Sequence, residues 1–409
     1  MLPLGLYLHI PFCRSRCSYC DFNTYVGMED LYTSYAQALC REIRAAGQSP
    51  HILRSPAPLL PSSSAPPLPR SPAGEPVESP PTRPGAATIF FGGGTPSILH
   101  PRQLGDAIRA CRETFDLPGD AEITIECNPG TVDLRYLRAL RSEGVNRLSF
   151  GAQSADPDEL KLLGREHGFA DVVAAVEASR AAGFDNVSFD LIFGLPRQSL
   201  DTWRRTLNAA LPLQPDHISL YALTVERGTP LHDWVRRGDV PYPDPDAAAD
   251  MYDLAEDVLG EAGYVHYEIS NWCKPGRACA HNLIYWRNEP YFGFGPGAHS
   301  SSIRRRWWNV RRPAEYIARI ERGEPVEMGA EDIDERTSRG ETMVMGLRLL
   351  QEGVTYARFA QRHGVEMREI FGEPLRAGQE KGLLELLPDR ARLTAKGRFL
   401  SNQVMAAFV

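Results

Sequence analysis

The chain has 409 residues, of which 43% are hydrophobic, so it is long enough to bury the core of one large α/β domain and a smaller second domain. Its formal net charge is −7, which argues against a general binder of phosphate backbones, and no apolar run approaches the length of a bilayer span. The first residues, MLPLGLYLHIPFC, lack the basic start and cleavage site of a secretory signal, so we expect a cytoplasmic protein.

The first predicted strand, GLYLHI at residues 5–10, leads into a loop that contains Cys13, Cys17 and Cys20. Thiolates bind zinc or iron–sulfur clusters, and structural zinc usually takes four ligands from paired CxxC knuckles. Here CxxxCxxC supplies three ligands, Phe22 stands where a fourth cysteine would be expected, and the other five cysteines show no matching knuckle. Three thiolates on a [4Fe–4S] cubane leave one iron open to a small molecule. Zinc, or three unrelated thiols, is the alternative.

A helix is predicted over Tyr32–Ala46, and a proline-rich segment follows at residues 50–87, where twelve of 38 residues are proline. Proline fixes φ and removes a backbone donor, so neither a helix nor a central strand is expected in this segment. We interpret it as a disordered surface insert. The stretches PAPLLP and PPLP leave a partner-binding polyproline segment as the alternative.

From residue 88 the chain alternates short β-rich runs with helical stretches. The runs are TIFF, EITIE, NRLSF, NVSFDLIF and DHISLYAL, and the helices are predicted at Arg102–Phe115, Leu134–Glu143, Phe169–Ala182 and Leu200–Ala210. With GLYLHI this order makes six units of parallel strands and right-handed crossovers, which predicts an incomplete (β/α)6 barrel. The segments GGGTP, ECNPG, GAQS and GLP follow the strands directly, where such barrels build their active sites.

Beyond about Trp308 the pattern changes to helices, a small hairpin and a closing helix, which predicts a winged-helix-like module. Its basic residues lie beside Glu385 and Asp389, so we expect a lid or partner-docking module and no nucleic acid. The predicted domains are a core at 1–49 and 88–240, the insert at 50–87, a barrel extension at 241–308 and the C-terminal module at 309–409.

The cysteine loop and GGGTP, Gly92 to Pro96, resemble the radical S-adenosylmethionine (SAM) family. In that family the open iron of a [4Fe–4S] cluster binds the amino and carboxylate groups of SAM, and an electron from the cluster cleaves SAM to a 5′-deoxyadenosyl radical. The resemblance implies Cys13, Cys17 and Cys20 as cluster ligands. It also implies SAM contacts, which are Tyr7, Tyr19, Gly93, Gly94, Thr95, Glu126, Gln153, Arg165, Asp190 and Ala222.

Further segments are similar to the group that contains oxygen-independent coproporphyrinogen III oxidase and the heme chaperones of the HemW branch. They are YLHIPFC, FFGGGTPS, IECNPGT, GVNRLSFGAQS, LGREH, FDLIFGLPRQ, LYALTVERGTPL and GFGPGAHS. The oxidase continues its motif to a fourth cysteine and carries a long N-terminal arm, whereas this chain has Phe22 and only twelve residues before Cys13.

The segment HNLIYW matches the HNxxYW motif of the chaperone branch, which implies heme contacts at His281, Tyr285 and Trp286. His281 and Tyr285 are four residues apart, one turn of a helix. A buried, hydrogen-bonded His–Asn pair among core aromatics is the alternative interpretation of this motif.

The resemblance to the chaperone branch implies a protein that binds heme, a [4Fe–4S] cluster and SAM and passes the heme to a membrane-bound respiratory heme protein. The cluster and SAM would support a homodimer or gate the transfer, and a flavodoxin or ferredoxin would be the electron donor if SAM is cleaved. Two alternatives stay open. One is coproporphyrinogen III oxidase itself, and the other is a radical-SAM modifier of nucleic acid, against which the acidic net charge argues.

Overall fold

The computed structural model describes residues 4–47 and 83–409, so the predicted insert at 50–87 lies outside the described residues except for 83–87. The large sheet contains β1 Gly5–Ile10, β2 Thr88–Gly93, β3 Glu122–Cys127, β4 Arg147–Gln153, β5 Val187–Phe193, β6 His217–Ala222, β7 Val265–Glu268, β8 Asn271–Cys273, β9 Tyr291–Phe294, β10 His299–Ser301, β11 Arg305–Asn309 and β12 Glu327–Asp332. Their spatial order is β12-β11-β10-β9-β1-β2-β3-β4-β5-β6-β8-β7.

The centre of this sheet is parallel and its two edges are antiparallel. Strands β1 to β6 pair in sequence order and in parallel, and β9 joins the other side of β1 in parallel. The pairs beyond β6 and β9 are antiparallel. The expected α/β class is confirmed as a mixed α/β fold with a large, mostly parallel sheet.

The helices of this part of the chain include the crossover connections of the parallel strands β1 to β6. They are α1 Tyr32–Ala46, α2 Pro101–Thr114, α3 Leu134–Ser142, α4 Pro157–Leu162, α5 Phe169–Ala181, α6 Leu200–Ala210, α7 Pro230–Arg237, α8 Pro245–Glu261, α9 Ala280–Trp286 and α10 Pro313–Glu321. Several of these helices begin after a residue whose side chain accepts a hydrogen bond from the first turn, such as Asp133 before α3 and Ser199 before α6. Such capping residues can be recognised in the sequence. The five helices predicted from the sequence agree with α1, α2, α3, α5 and α6 to within one residue at each end.

Side chains alternate between two buried environments along the parallel strands. In β3, Ile123 and Ile125 belong to the main apolar core, whereas Glu126 lies against cavities. The same alternation puts Leu6 and Leu8 of β1 into the core and leaves Tyr7 facing cavities. Both faces of the central strands are therefore buried, as expected for a parallel sheet between helices and a barrel interior.

A second unit follows the large sheet. It contains α11 Glu335–Gly346, α12 Tyr356–His363, α13 Met367–Glu380, α14 Ala395–Phe399 and α15 Ser401–Met405, with β13 Val354–Thr355, β14 Leu384–Leu386 and β15 Arg390–Leu393 in the antiparallel order β13-β15-β14. Its own core includes Met343, Phe359 and Leu375. Because β11 and β12 pair with each other, the large sheet continues to Asp332, past residue 309, the predicted start of the C-terminal module.

Charged pairs join this second unit to the residues around β7 and α9. Arg287 contacts Glu352 at 2.6 Å, and Arg348 contacts the fully buried Glu268 at 3.1 Å. Arg348 also lies over the ring of Trp286, with its guanidinium carbon 4.2 Å from the ring centroid. The end of the HNxxYW motif is therefore held by the second unit. A helix with the length and apolar composition needed to span a bilayer is absent from residues 4–47 and 83–409.

Candidate cofactor-binding site

The carboxyl ends of the parallel strands surround a cavity of about 390 Å³, which we call the cysteine cavity. Cys13, Cys17 and Cys20 line it from the loop between β1 and α1. The other predicted residues that line it are Tyr19 of the loop, Arg165 after the helix Pro157–Leu162, and residues on or directly after β2 to β6, which are Gly93, Gly94, Thr95, Glu126, Gln153, Asp190 and Ala222. Of the predicted SAM contacts, Tyr7 lies outside this cavity and lines two neighbouring ones.

Backbone hydrogen bonds close the cysteine loop against the barrel. The amide of Cys13 donates to the carbonyl of Tyr25 at 2.9 Å, and the amide of Tyr25 donates to that of Pro11 at 2.7 Å. Between Cys17 and Cys20 the amide of Ser18 donates to the carbonyl of Leu163 at 3.1 Å. These bonds fix the loop at its base and near its middle and keep its thiols at the rim of the barrel.

The three loop thiols are free and two of them accept hydrogen bonds from neighbours. Thr95 Oγ1 lies 3.6 Å from Cys13 Sγ, and Arg165 Nη1 lies 3.4 Å from Cys17 Sγ. Burial raises the pKa of the Cys13 thiol, and the Thr95 hydroxyl acts in the opposite direction. Burial likewise raises the pKa of Cys20. Donors directed at sulfur favour the thiolate, which is the form that binds metals.

The three thiols line one cavity from three positions of the same loop. No group of three or more His, Cys, Asp or Glu side chains in the described parts of the chain is arranged to hold a single metal ion. A cubane binds each thiolate at a different iron, so its ligands surround the cluster instead of converging on one point. Three cysteines around one cavity meet that requirement.

The glycines after β2 allow the backbone to pass close to the cysteine loop. A Cβ on Gly94 would lie 2.5 Å from the carbonyl oxygen of Phe12 and 3.0 Å from Cys13 Sγ. Gly93 has φ +111°, and a Cβ there would lie 2.5 Å from the ring of His9. Only glycine fits at these two positions, so backbone atoms rather than side chains face the cavity beside the thiols.

Arg165 carries an unused donor in the wall of the cysteine cavity. Its Nη2 donates to the carbonyl of Gly151 at 2.9 Å, but its buried Nε has no hydrogen-bond partner among the described residues. A buried, unpaired guanidinium N–H is costly, and a ligand carboxylate would supply the missing acceptor. Next to it, Gln153 has φ +64° at a bulge in β4, a strained conformation of the kind that is retained at functional sites.

Two buried carboxyl groups face the barrel interior. Burial and, to a smaller degree, the nearby Asp190 raise the pKa of Glu126 to about 8, while the Gly93 amide, which donates to Oε2 at 3.1 Å, opposes the shift. Burial also raises the pKa of Asp190, against hydroxyl hydrogen bonds from Ser219 and Ser149. Without a ligand, Glu126 is mostly protonated at neutral pH. A cationic group in the cavity would favour its ionised form.

A smaller cavity of about 210 Å³, the inner cavity, lies deeper in the barrel and shares Glu126, Asp190 and Tyr221 with the cysteine cavity. His281 and Tyr285 of the HNxxYW motif line it.

Both ring nitrogens of His281 are engaged within the protein. Its Nδ1 bonds to Thr88 Oγ1 at 2.7 Å, its Nε2 bonds to the Tyr285 hydroxyl at 2.9 Å, and burial lowers its pKa to about 3. Trp286 does not line the inner cavity and packs under Arg348 instead. The structure therefore brings His281 and Tyr285 together and leaves Trp286 apart from them.

Sequence reasoning missed two side chains of the barrel interior, Arg147 and Tyr221. Arg147 is 2% exposed, lines the inner cavity, and its Nε has no hydrogen-bond partner among the described residues. Tyr221 lines both the inner and the cysteine cavity. The alternation of side chains between the two faces of a strand would have predicted both positions. Arg147 lies on the face of β4 that carries Ser149, and Tyr221 lies on the face of β6 that carries Ser219.

A third cavity, of about 490 Å³, lies between the cysteine loop and the β10–β11 hairpin, and we call it the hairpin cavity. It shares Phe22, Gly93 and Glu126 with the cysteine cavity. Its remaining lining residues are Tyr7, His9, Asn23, Gly297, His299, Trp308, Asn309 and Arg311. None of the residues predicted as cluster, SAM or heme contacts lies on the hairpin side of this cavity.

Two family models match the chain: the Radical SAM superfamily over residues 78–210 and the HemN C-terminal domain over residues 333–400. The chain is 36% identical to the heme chaperone HemW of Mycobacterium tuberculosis, with 98% of this chain and 94% of the relative covered. It is 35% identical to the heme chaperone HemW of Bacillus subtilis, with 98% of each covered. Its fold is similar to that of the Escherichia coli coproporphyrinogen III oxidase HemN, with a TM-score of 0.79 at 23% identity over 100% of this chain and 90% of that chain.

Proposed function

The chain belongs to the radical SAM superfamily and, within it, to the HemW family, and from this membership we propose that it is a heme chaperone that takes up heme and delivers it to a membrane-bound heme protein. The observation that carries the proposal is the identity of 36% to a protein named as a heme chaperone, which extends over 98% of the chain. The likeness to the E. coli oxidase concerns the fold alone.

Membership of the radical SAM superfamily implies a [4Fe–4S] cluster and SAM, and the cysteine cavity has the groups to hold them. Cys13, Cys17 and Cys20 would bind three irons, and the fourth iron would take the amino and carboxylate groups of SAM. The cluster supplies one-electron chemistry when it is reduced. Backbone atoms at Gly93 and Gly94 leave room for the methionine part, and the free Nε of Arg165 offers a donor to its carboxylate.

The other predicted SAM contacts would act at the wall and floor of the cavity. Glu126 and Asp190 would face the cationic part of SAM and its ribose, and a cation beside Glu126 would release the proton that burial retains. Thr95, Gln153 and Ala222 complete the wall. Tyr19 packs against the small apolar cluster of Leu163, Ile192 and Leu195, which holds the cysteine loop, and Tyr7 would support the assembly from below.

Phe22 favours the chaperone over the oxidase. It stands where the oxidase motif has its fourth cysteine, it is 63% exposed, and it lines both the cysteine cavity and the hairpin cavity. An exposed apolar ring beside the cluster suits contact with a flat apolar ligand better than metal ligation. His281, Tyr285 and Trp286 stay predicted heme contacts. To bind iron, His281 would first have to release Thr88 or Tyr285.

The proposal is tested on protein whose cluster has been reconstituted without oxygen. Hemin and SAM are added separately, and the absorption spectra report cluster, SAM binding and heme in one sample. We expect a stoichiometric heme complex and transfer of the heme to membranes that contain a heme-free respiratory protein. The control is an anaerobic assay with coproporphyrinogen III, SAM and a reductant, in which no protoporphyrinogen should form. Protoporphyrinogen formation without heme binding would contradict the proposal.

A further inference from the structure

We infer that heme binds in the hairpin cavity, with His299 as a ligand of its iron. The inference rests on the proposed function, because heme is the ligand that this function requires, and it adds the place and the ligand. Its basis is a cavity of suitable size, an unoccupied imidazole, flat aromatic walls and a guanidinium without an acidic partner.

The volumes of the cavities distinguish between the two candidate sites for heme. Small-molecule sites usually have volumes of about 300 to 1,000 Å³. The hairpin cavity, at about 490 Å³, lies within that range, whereas the inner cavity next to His281 has about 210 Å³. The hairpin cavity therefore has the volume of a small-molecule site, whereas the inner cavity is below that range and would have to open before it could hold a porphyrin.

His299 differs from the other histidines beside these cavities in that its imidazole is free. His9 bonds through Nδ1 to the Tyr7 hydroxyl and through Nε2 to the carbonyl of Asn23, both at 3.0 Å, and His281 also uses both nitrogens. The side chain of His299 makes no hydrogen bond within the described part of the chain and lines the hairpin cavity.

A neutral imidazole is the form that binds iron. Partial burial lowers the pKa of His299, and the guanidinium groups of Arg306 and Arg311 also lower it, while Glu331 acts in the opposite direction. The surroundings of His299 therefore keep it in the iron-binding form at neutral pH.

The hairpin presents a flat aromatic wall beside this imidazole. His299 of β10 is paired directly with Trp308 of β11, so their side chains project from the same face of the sheet. Their rings are stacked, with centroids 5.8 Å apart and planes inclined by 26°. On the next strand, a Cβ at Gly329 would lie 2.5 Å from the indole, so glycine leaves the room in which Trp308 lies. Phe22 faces the same cavity from the cysteine loop.

A cation suited to the propionates of heme lies in the lining of the cavity. Arg311 is exposed, and its guanidinium contacts Asn23 Oδ1 at 3.4 Å but forms no ion pair with an acidic side chain in residues 4–47 and 83–409. Arg306, on the same hairpin, is already paired with Glu331 and Glu341. Arginine is a strong partner for carboxylates, so a heme propionate would satisfy Arg311.

The test is a hemin titration of the full-length, cluster-loaded protein, followed through the Soret band and magnetic circular dichroism. We expect His299→Ala to change the axial-ligand signature and to weaken hemin binding about tenfold or more. Added imidazole should restore the ligand signature, which a merely structural role of His299 would not allow. Because His299 is exposed, the variant should keep the melting temperature and iron content of the parent protein.

His100→Asn is the matched control, since it changes another exposed histidine but preserves a side-chain cap at the start of α2. Its hemin spectrum should equal that of the parent protein. If His299→Ala binds hemin with the parent spectrum and His281→Ala loses the ligand signature, the inference is wrong and the proposed function stands. If the parent protein itself binds no hemin, the proposed function fails and the inference fails with it.

Discussion

The cysteine cavity and the hairpin cavity share a wall, yet they differ in how far their lining residues can be predicted from the sequence. The first is lined by residues that follow parallel strands, and the carboxyl ends of such strands converge wherever the sheet forms. The second is lined largely by a hairpin of two short antiparallel strands and by the loop after Cys20. Motifs in the chain therefore predict the first cavity, whereas the second depends on which side chains remain free of partners in the folded protein.

The largest expected effect is a loss of cluster binding in the cysteine cavity that leaves hemin binding in the hairpin cavity unchanged. Cys13→Ala should abolish cluster loading, from about four irons per chain to background, because a cubane with two remaining thiolates is poorly held. Hemin binding at His299 should persist. Iron and sulfide analysis after reconstitution measures the first effect and hemin titration the second. Cys40→Ala, which removes a buried thiol of α1 outside the cavities, is the control and should load normally. Parallel loss of hemin binding in Cys13→Ala alone would show that the two cavities are one site.

Arg165→Met should weaken SAM binding to the cluster-loaded protein about tenfold to a hundredfold, since a hydrogen bond to a charged group is worth about 1.5–3 kcal/mol. Equilibrium dialysis with labelled SAM measures the affinity. Arg205→Met, which alters an exposed arginine on α6, should bind SAM as the parent protein does. Unchanged SAM affinity in Arg165→Met at full iron content would remove Arg165 from the SAM site.

Gly94→Ala should lower cluster loading several-fold, because the added Cβ would lie 2.5 Å from the Phe12 carbonyl oxygen and press on Cys13. Gly119→Ala adds the same methyl group where nothing lies within 4 Å, so it should load as the parent protein does. Absorbance of the cluster after reconstitution compares the two variants. Equal loading of both would mean that the loop can move away from β2.

Glu126→Gln should raise the melting temperature of the cluster-free protein by several degrees at pH 8 and by less at pH 5. In the unfolded chain the Glu126 carboxyl group has its ordinary pKa of 4.5, whereas in the folded chain its pKa is about 8. Between these values the folded state binds more protons, so the contribution of Glu126 to stability falls as the pH rises. Glu261→Gln, at an exposed position, is the control. A temperature difference that does not vary with pH would contradict the shifted pKa.

Arg311→Gln should produce the smallest change, a two- to five-fold loss of hemin affinity, about 0.5–1 kcal/mol, because an exposed ion pair contributes little. The loss should shrink at high salt, which screens exposed charges. Titrations at low and high ionic strength measure both effects. Arg312→Gln, at the neighbouring exposed position, is the matched control. An equal loss in both variants would indicate general attraction of the anionic ligand and no specific contact.

The parallel half of the fold could be predicted because each strand is followed by a helix. The two-residue period of the strands and the period of about 3.6 residues of the helices therefore alternate clearly along the chain. The short strands β7 to β12 carry no such signal, since three to six residues without a crossover helix match several structures equally well.

The HNxxYW motif shows the same limit at the level of side chains. Its spacing correctly suggests that His281 and Tyr285 meet, but the second partner of His281 is Thr88, which lies 193 residues away in the chain. No local pattern reveals such a partner, and so none reveals that the imidazole is already in use.

Phe22, Gly93 and Glu126 belong to the walls of both large cavities, so a change in the position or charge of any of these three residues alters both cavities. If occupation of one cavity alters the affinity of the other by some factor, thermodynamic reciprocity requires the same factor in the opposite direction. SAM would then be an allosteric effector of heme retention, and heme would be an effector of SAM retention to the same degree. Release of cargo could be triggered by loss of the sulfonium cofactor without any chemical step on the porphyrin.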